Sequence, residues 1–271
     1  MIINPFIIKA PYDSDAYAFI LAANLKTDTQ ANAINNLVLS LKSNSLWTKM
    51  NAVYPVIGGT AASHKFNLKN PLDTNAAFRL AFAGGWTHSA TGMQGSTTGY
   101  ANTFLAPSSI LSLTSGHISY YSRLQNQQVG DSVIGSATGT GSENIIVMSI
   151  ARSVTNTSSG GWASQSPAGA ITTLSGTSTQ GLFTTTRTSA TASTLKIFRN
   201  AIAGTAASAN GTGILPTNTI TLNCLNYAMG QTAFSAKECA FASIGSGLTD
   251  TDVSNLYTIV QAYQTALGRN V

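Results

Sequence analysis

Apolar positions along the chain follow two different periods. Between residues 13 and 54 they recur at helical spacing: Ile34, Leu37, Val38 and Leu41 fall at i, i+3, i+4 and i+7, one face of a helix, and residues 27–29 supply a cap in front of them. A shorter helix holding Phe19, Ile20 and Ala23 precedes it, with Asp13 or Ser14 as its cap. Leu46, Trp47 and Met50 carry the apolar content on to Val53 and Tyr54. The stripe predicts a helical segment over 13–54 whose apolar face is buried against the rest of the molecule.

After Pro55 and Gly58-Gly59 the period shortens. Runs at 78–82, 117–122, 144–151, 181–187, 194–199, 218–225 and 238–244 are short, rich in strand formers, and separated by Gly, Asn, Ser and Pro. Residues 153–181, dense in Ser, Thr and Gly, read as loops. The last stretch is helical again. Thr249 with Asp252 three positions later forms a variant of the capping box, and two acids lie at the positive end of the helix dipole. Val253, Leu256, Tyr257, Val260, Tyr263 and Leu267 then line one face up to a stop at Gly268. This pattern predicts a mainly β fold: an antiparallel β-sandwich of jelly-roll type over 55–271, closed by a helix at 249–267 and carrying the helical segment 13–54. Residues 1–12 read as an extended arm, too apolar at Ile3, Phe6, Ile7 and Ile8 to lie in water, and those four are the candidates for anchoring to another subunit.

Composition narrows the function. Charged residues are 8% of the chain, against about 25% in ordinary globular proteins, while hydrophobic residues reach 43%, so the sequence is poor in charge without being disordered. The net charge of +5 comes from 14 Lys and Arg scattered without a cluster of three, which argues against a nucleic-acid partner. The N-terminus lacks the basic start and long apolar core of a signal peptide, and no apolar run has the length of a membrane helix. Cys224 and Cys239 are expected as two buried thiols rather than a disulfide framework.

Chemistry is sparse. Glycoside hydrolysis needs two carboxyl groups facing one bond. The chain has two Glu, Glu143 and Glu238, far apart. The pairs Asp13/Asp15 and Asp250/Asp252 stand at helix starts, where capping accounts for them, and Asp73 with Asp131 would have to be assembled from distant loops. His64, His88 and His117 are widely separated, and no metal-ligand spacing or serine-nucleophile motif is present. The expectation is therefore a protein without catalytic residues, cofactor or metal. A binding surface has more support. Flat aromatic faces among hydroxyls and amides suit sugars, and Trp86, His88, Tyr100, Arg123 and Trp162 are the candidate ligand-binding residues. Trp86 and Trp162 each follow a glycine pair, which suggests loop positions, and Trp162 is the leading surface candidate.

Two resemblances add to this reading. The run Leu195-Lys196-Ile197-Phe198-Arg199-Asn200 resembles a hairpin of concanavalin A-like and laminin-G-like sandwiches, with Ala201 where that family usually has Gly. Residues 239–245 followed by 247–257 resemble the last core strand and helix start of the same family. Residues 46–55 with Gly58-Gly59, then 64–71 with Asp73, are similar to a group of phage tail and appendage proteins. That second resemblance implies a virion structural protein (a head fibre, tail appendage or decoration), made in the host cytoplasm and assembled with other virion proteins. It further implies a homo-oligomer, with a trimer as the candidate state, and host-surface carbohydrate as the candidate ligand. The alternative is a glycan-degrading hydrolase, a depolymerase, on the same sandwich.

Overall fold

The computed structural model describes residues 12–138, 144–164, 171–210 and 213–271. The expected anchor residues Ile3, Phe6, Ile7 and Ile8 lie outside these.

The helices form where periodicity and caps coincide. Ser14–Ala22 is capped by Asp13, whose side chain accepts from the Asp15 N–H, and Asp28–Ser43 by Thr27, which accepts from Gln30. Asp250–Ala266 opens with the expected reciprocal box between Thr249 and Asp252, and Gly268 follows its end at φ +65°.

Two sheets make up the β portion, eight-stranded and nine-stranded among the described residues. The first runs Ile202–Ala203, Lys196–Arg199, Gly181–Arg187, Gly116–Ser122, Glu238–Gly245, Met93–Gly95, Trp86–His88, with Met50–Tyr54 also paired to Glu238–Gly245. The second runs Ile171–Ser175, Thr157–Ser164, Ile145–Arg152, Ile134–Ala137, Thr221–Leu222, Tyr100–Asn102, Ala81–Ala83. Leu225–Tyr227 joins it beside Ile134–Ala137 and pairs in turn with Gly230–Thr232. The two sheets stack as a mainly antiparallel, jelly-roll-like sandwich, as the pattern predicted.

The first sheet is buried on both faces, which makes the molecule three layers thick. Ala52, Tyr54, Ile118, Tyr120, Phe183, Ile197, Ala242 and Ile244 point to the core between the sheets, where they meet Ile134, Ile146, Met148 and Trp162. Their neighbours Val53, Tyr121, Leu182 and Phe198 point the other way, onto Ile34, Leu37, Val38 and Leu41 of the second helix and Leu256 and Val260 of the closing one. A bulge between Cys239 and Phe241 lets Ala240 and Phe241 both face the helices. Each fully buried Leu, Ile or Phe contributes about 1.5–3 kcal/mol. Cys224 and Cys239 are both free and buried.

Three sequence expectations need correction. Met50–Tyr54 is a strand, not the tail of the helical segment; both of its faces are covered, so its apolar residues do not alternate. Residues 153–181 hold two strands, Thr157–Ser164 and Ile171–Ser175. Trp162 is not at the surface: it is fully buried between the sheets, and its Nε1 donates to the Ser112 carbonyl at 3.1 Å. The small residues nearby exist for that packing. A Cβ on Gly116 would stand 1.8 Å from the indole, and one on Gly160 would stand 2.2 Å from the Thr185 hydroxyl of the opposite sheet.

The hairpin at Asn200-Ala201 turns with both residues at positive φ, 49° and 65°. That is the primed-turn geometry that favours Asn-Gly, adopted here with Ala in the second position.

Candidate functional site

The site with the best claim to bind something is built by one bent hairpin. The chain leaves the second sheet at Ala83 and enters the first as the edge strand Trp86–His88. It turns through Ser89 to Gly92, returns as Met93–Gly95, and rejoins the second sheet at Tyr100. Both legs thus switch sheets at one corner. Glycine is required there, because a Cβ on Gly84 would stand 2.2 Å from the Thr98 carbonyl and one on Gly99 would stand 2.3 Å from that of Gly85. Ser96 N–H donates to the Gly85 carbonyl at 2.8 Å and pins the two legs together.

Trp86 spans this corner. Its Nε1 donates to the carbonyls of Ala83 and Tyr100, at 3.0 and 3.2 Å, so its polar tip is used internally and its ring is held in place. The ring stacks on His88 with centroids 6.0 Å apart, and Phe82 packs edge-on against both. Beside Trp86 opens a shallow concavity of about 570 Å³, lined by Gly85, Trp86, Thr87, Gln94, Gly95, Ser96, Thr97 and Ala236. None of these carries a formal charge. Gln94 is fixed by a 2.7 Å bond from its Nε2 to the Ala236 carbonyl. A rigid aromatic edge surrounded by hydroxyl and amide groups can take a neutral, hydroxyl-bearing ligand, and offers no group for acid–base chemistry.

The fold also brings together two histidines that sequence spacing keeps apart. His64 Nδ1 and His88 Nδ1 are 3.0 Å apart. The Gly59 N–H donates to His64 Nε2. His64 therefore carries its proton on Nδ1 and donates it to His88, whose own proton sits on Nε2. Burial, then the neighbouring His88 and Arg269, push His64 down to about 3, and burial also lowers His88. Both rings are neutral near pH 7. His117 is separate, buried under the closing helix's start, its Nδ1 donating to the Ser246 carbonyl at 2.6 Å. Among the described residues no cluster of three His, Cys, Asp or Glu is placed to hold a metal.

Of the five candidate residues, Trp86, His88 and Tyr100 meet at the corner, with Tyr100 contributing its carbonyl, but only Trp86 lines the concavity. Arg123 does not line the concavity. It is half-buried, bonded through Nη1 to Glu238 at 3.1 Å and through Nε to the Arg269 carbonyl at 2.7 Å. Trp162 is in the core, as described. Sequence reasoning missed Thr87, Gln94, Ser96 and Thr97. The signal that could have marked them is the run of glycines at 84, 85, 92, 95 and 99, which brackets two short legs and a double corner.

Among the described residues, seven carboxylates are engaged by cations. Asp13 and Asp15 bind Lys42, and Asp252 binds Lys49. Asp73 binds Lys65 and Arg79, Asp131 binds Lys237, Glu238 binds Arg123 and Asp250 binds Lys196. Burial works against ionisation of Asp13 and Asp252, but the bonds from Lys42 and Lys49 outweigh it, and Lys65 lowers Asp73. Carboxyls held below their ordinary range are the opposite of a general acid.

No protein-family model matches the chain, and no curated protein matches it in sequence. Solved structures do resemble it in shape. One is a botulinum neurotoxin type C chain, from work describing cell entry as dependent upon interaction with two ganglioside molecules; it has a TM-score of 0.54 at 12% identity, covering 79% of this chain and 53% of that one. The present chain thus spans about half the length of that relative. Another is domain 4 of an extracellular arabinanase from Geobacillus stearothermophilus, in complex with arabinotriose, with a TM-score of 0.42 at 12% identity, covering 77% of this chain and 98% of that one. A third is a sialidase from Streptococcus pneumoniae, with a TM-score of 0.42 at 12% identity, covering 53% of this chain and 24% of that one. At these identities the likeness to the toxin chain speaks to the fold alone.

Proposed function

We propose that this chain is a non-catalytic, lectin-like sandwich that binds a neutral saccharide in the Trp86 concavity, and that it serves as a structural and attachment component of a phage particle. The observation that carries the binding reading is the uncharged concavity itself, set on a hairpin whose corner glycines and indole bonds hold it rigid. The virion setting rests on the sequence resemblance at residues 46–59 and 64–73. The saccharide reading draws support from the ganglioside dependence stated for the toxin chain of similar fold. The depolymerase alternative is disfavoured because seven of the nine acidic residues are tied up in ion pairs.

Titration of the protein with a panel of neutral bacterial-surface oligosaccharides, followed by ligand-observed NMR, tests the site. Thr97→Trp fills the concavity from an exposed position. It is expected to weaken binding about tenfold or more, equivalent to about 1.4 kcal/mol, with an unchanged thermal midpoint. Equal binding by the variant removes the concavity as the site. New reducing ends released from any polysaccharide remove the non-catalytic reading.

A further inference from the structure

Lys237 and Asp131 lie behind the wall of the concavity, with both side chains at 0% exposure. Their contact bridges the layers: Lys237 leads into the strand Glu238–Gly245 of the first sheet, and Asp131 leads toward Ile134–Ala137 of the second. The pair is incompletely satisfied. An ammonium has three donors, and among the described residues Asp131 Oδ2 is the only acceptor that Lys237 Nζ reaches. Asp131 Oδ1 is buried and has no hydrogen-bond partner. Ser235 Oγ donates to Oδ2 at 3.1 Å. A buried ion pair holds its charges well only when the remaining donors and lone pairs are also bonded, and here they are not.

We infer that Lys237 and Asp131 form an intramolecular isopeptide bond that staples the two sheets together. Direct contact, exclusion of water and the incomplete bonding of both groups set an amine nitrogen against a carboxyl group with no solvent to compete for either. Burial lowers the affinity of Lys237 for its proton, which favours the free amine. In the step itself the ammonium passes one proton to the carboxylate. The freed Nζ lone pair adds to Cγ of Asp131, polarised by the Ser235 bond to Oδ2. Within the tetrahedral centre the proton received by Oδ2 and one amine proton transfer to Oδ1, which leaves as water. One C–N bond forms and one C–O bond breaks. No electrons are transferred to or from a co-reactant, and Oδ2 becomes the amide carbonyl, still accepting from Ser235. The unpartnered oxygen is thereby the one that leaves, so the product is better satisfied than the reactants. The closed loop joins residues 106 positions apart.

The test uses the full chain, held folded at neutral pH and then denatured for intact-mass measurement and peptide mapping. The expected result is a mass lower by one water, with a branched peptide joining Lys237 to Asp131. Lys237→Arg and Asp131→Ala are each expected to show the full sequence mass. Ser235→Ala is expected to slow the water loss while still reaching it, which separates a polarising role for Ser235 from a purely structural one. Wild-type protein that keeps its full mass, and whose Lys237 is labelled by an amine reagent after denaturation, overturns the proposal. Because that readout is taken on the wild type, poor folding of any variant does not affect it.

Discussion

Arg269 and Lys237 are both buried, at 1% and 0% exposure, yet the protein surrounds them differently. Arg269 sits where the closing helix, the loop after Tyr54 and the bulged strand converge. Its Nε donates to Gln264 Oε1 at 2.6 Å, Nη1 to the Val56 carbonyl at 2.7 Å, and Nη2 to the carbonyls of Pro55 and Ala240 at 3.0 and 3.1 Å. Its guanidinium also lies over the Tyr263 ring. Among the described residues, Lys237 Nζ has one acceptor. A guanidinium's fork of fixed donors can satisfy several segments at once, whereas a lysine ammonium in a dry layer needs acceptors that must be brought to it. The first cation is a keystone of hydrogen bonding. The second is an under-satisfied cation, the observation on which the inferred isopeptide bond rests.

The contrast can be broken most forcefully at Arg269. Arg269→Ala strips partners from Gln264 and from three buried carbonyls, and is expected to cost about 3–5 kcal/mol in denaturant unfolding. A loss under about 1 kcal/mol would mean that the donors left to Pro55 and Ala240, from Tyr263 and Gln264, suffice and that the keystone description is wrong.

A smaller effect sharpens the same point through a group that could become a cation and does not. His117 is fully buried, and burial, only partly offset by the Ser246 bond, pushes it down to about 4. Its folded pKa is depressed from 6.5, so its stabilising contribution is complete above about 6.5 and is lost as pH falls toward 4, where the unfolded chain takes a proton the folded chain refuses. The loss reaches on the order of 3 kcal/mol at the lower end. Stability measured across that window should fall less steeply in His117→Asn, by about one proton of uptake. An unchanged slope would assign the acid sensitivity elsewhere, with His64 the next group to examine.

The smallest effect lies outside both polar centres. Ala201 holds φ 65° in its tight turn, and Ala201→Gly is expected to raise stability by about 0.5–1 kcal/mol. Destabilisation on that change would show that the Ala201 methyl group has a packing role larger than the strain.

Much of the architecture could be read in advance because caps and periodicities agreed. Thr27, Thr249 and Asp252 mark helix starts in the sequence and occupy them in the structure. Reading failed where packing, rather than local preference, chooses the residue. The strand Thr157–Ser164 resembles a loop because Thr185 of the opposite sheet demands glycine at 160, just as this strand's own Trp162 indole demands glycine at 116 across the core. The same ambiguity misplaced Trp162. A glycine pair before an aromatic signals a close approach in both places, but Gly84-Gly85 lies at an exposed corner and Gly160-Gly161 inside the sandwich, a difference the sequence does not carry. Of the residues that line the concavity the sequence singled out Trp86 alone; Thr87 and Gln94 acquire meaning only when their strands pair, and His64 meets His88 only through the tertiary fold.

The helical cover over the first sheet has one more consequence. With Ile34, Leu37 and Leu256 laid across its outer side and the second sheet against its inner side, that sheet offers a visitor no broad plane to land on. Its open margins are the edge strands Trp86–His88 and Ile202–Ala203, so the saccharide binding proposed at Trp86 would require a side-on approach, as a thread meeting a selvedge, over a border three residues wide.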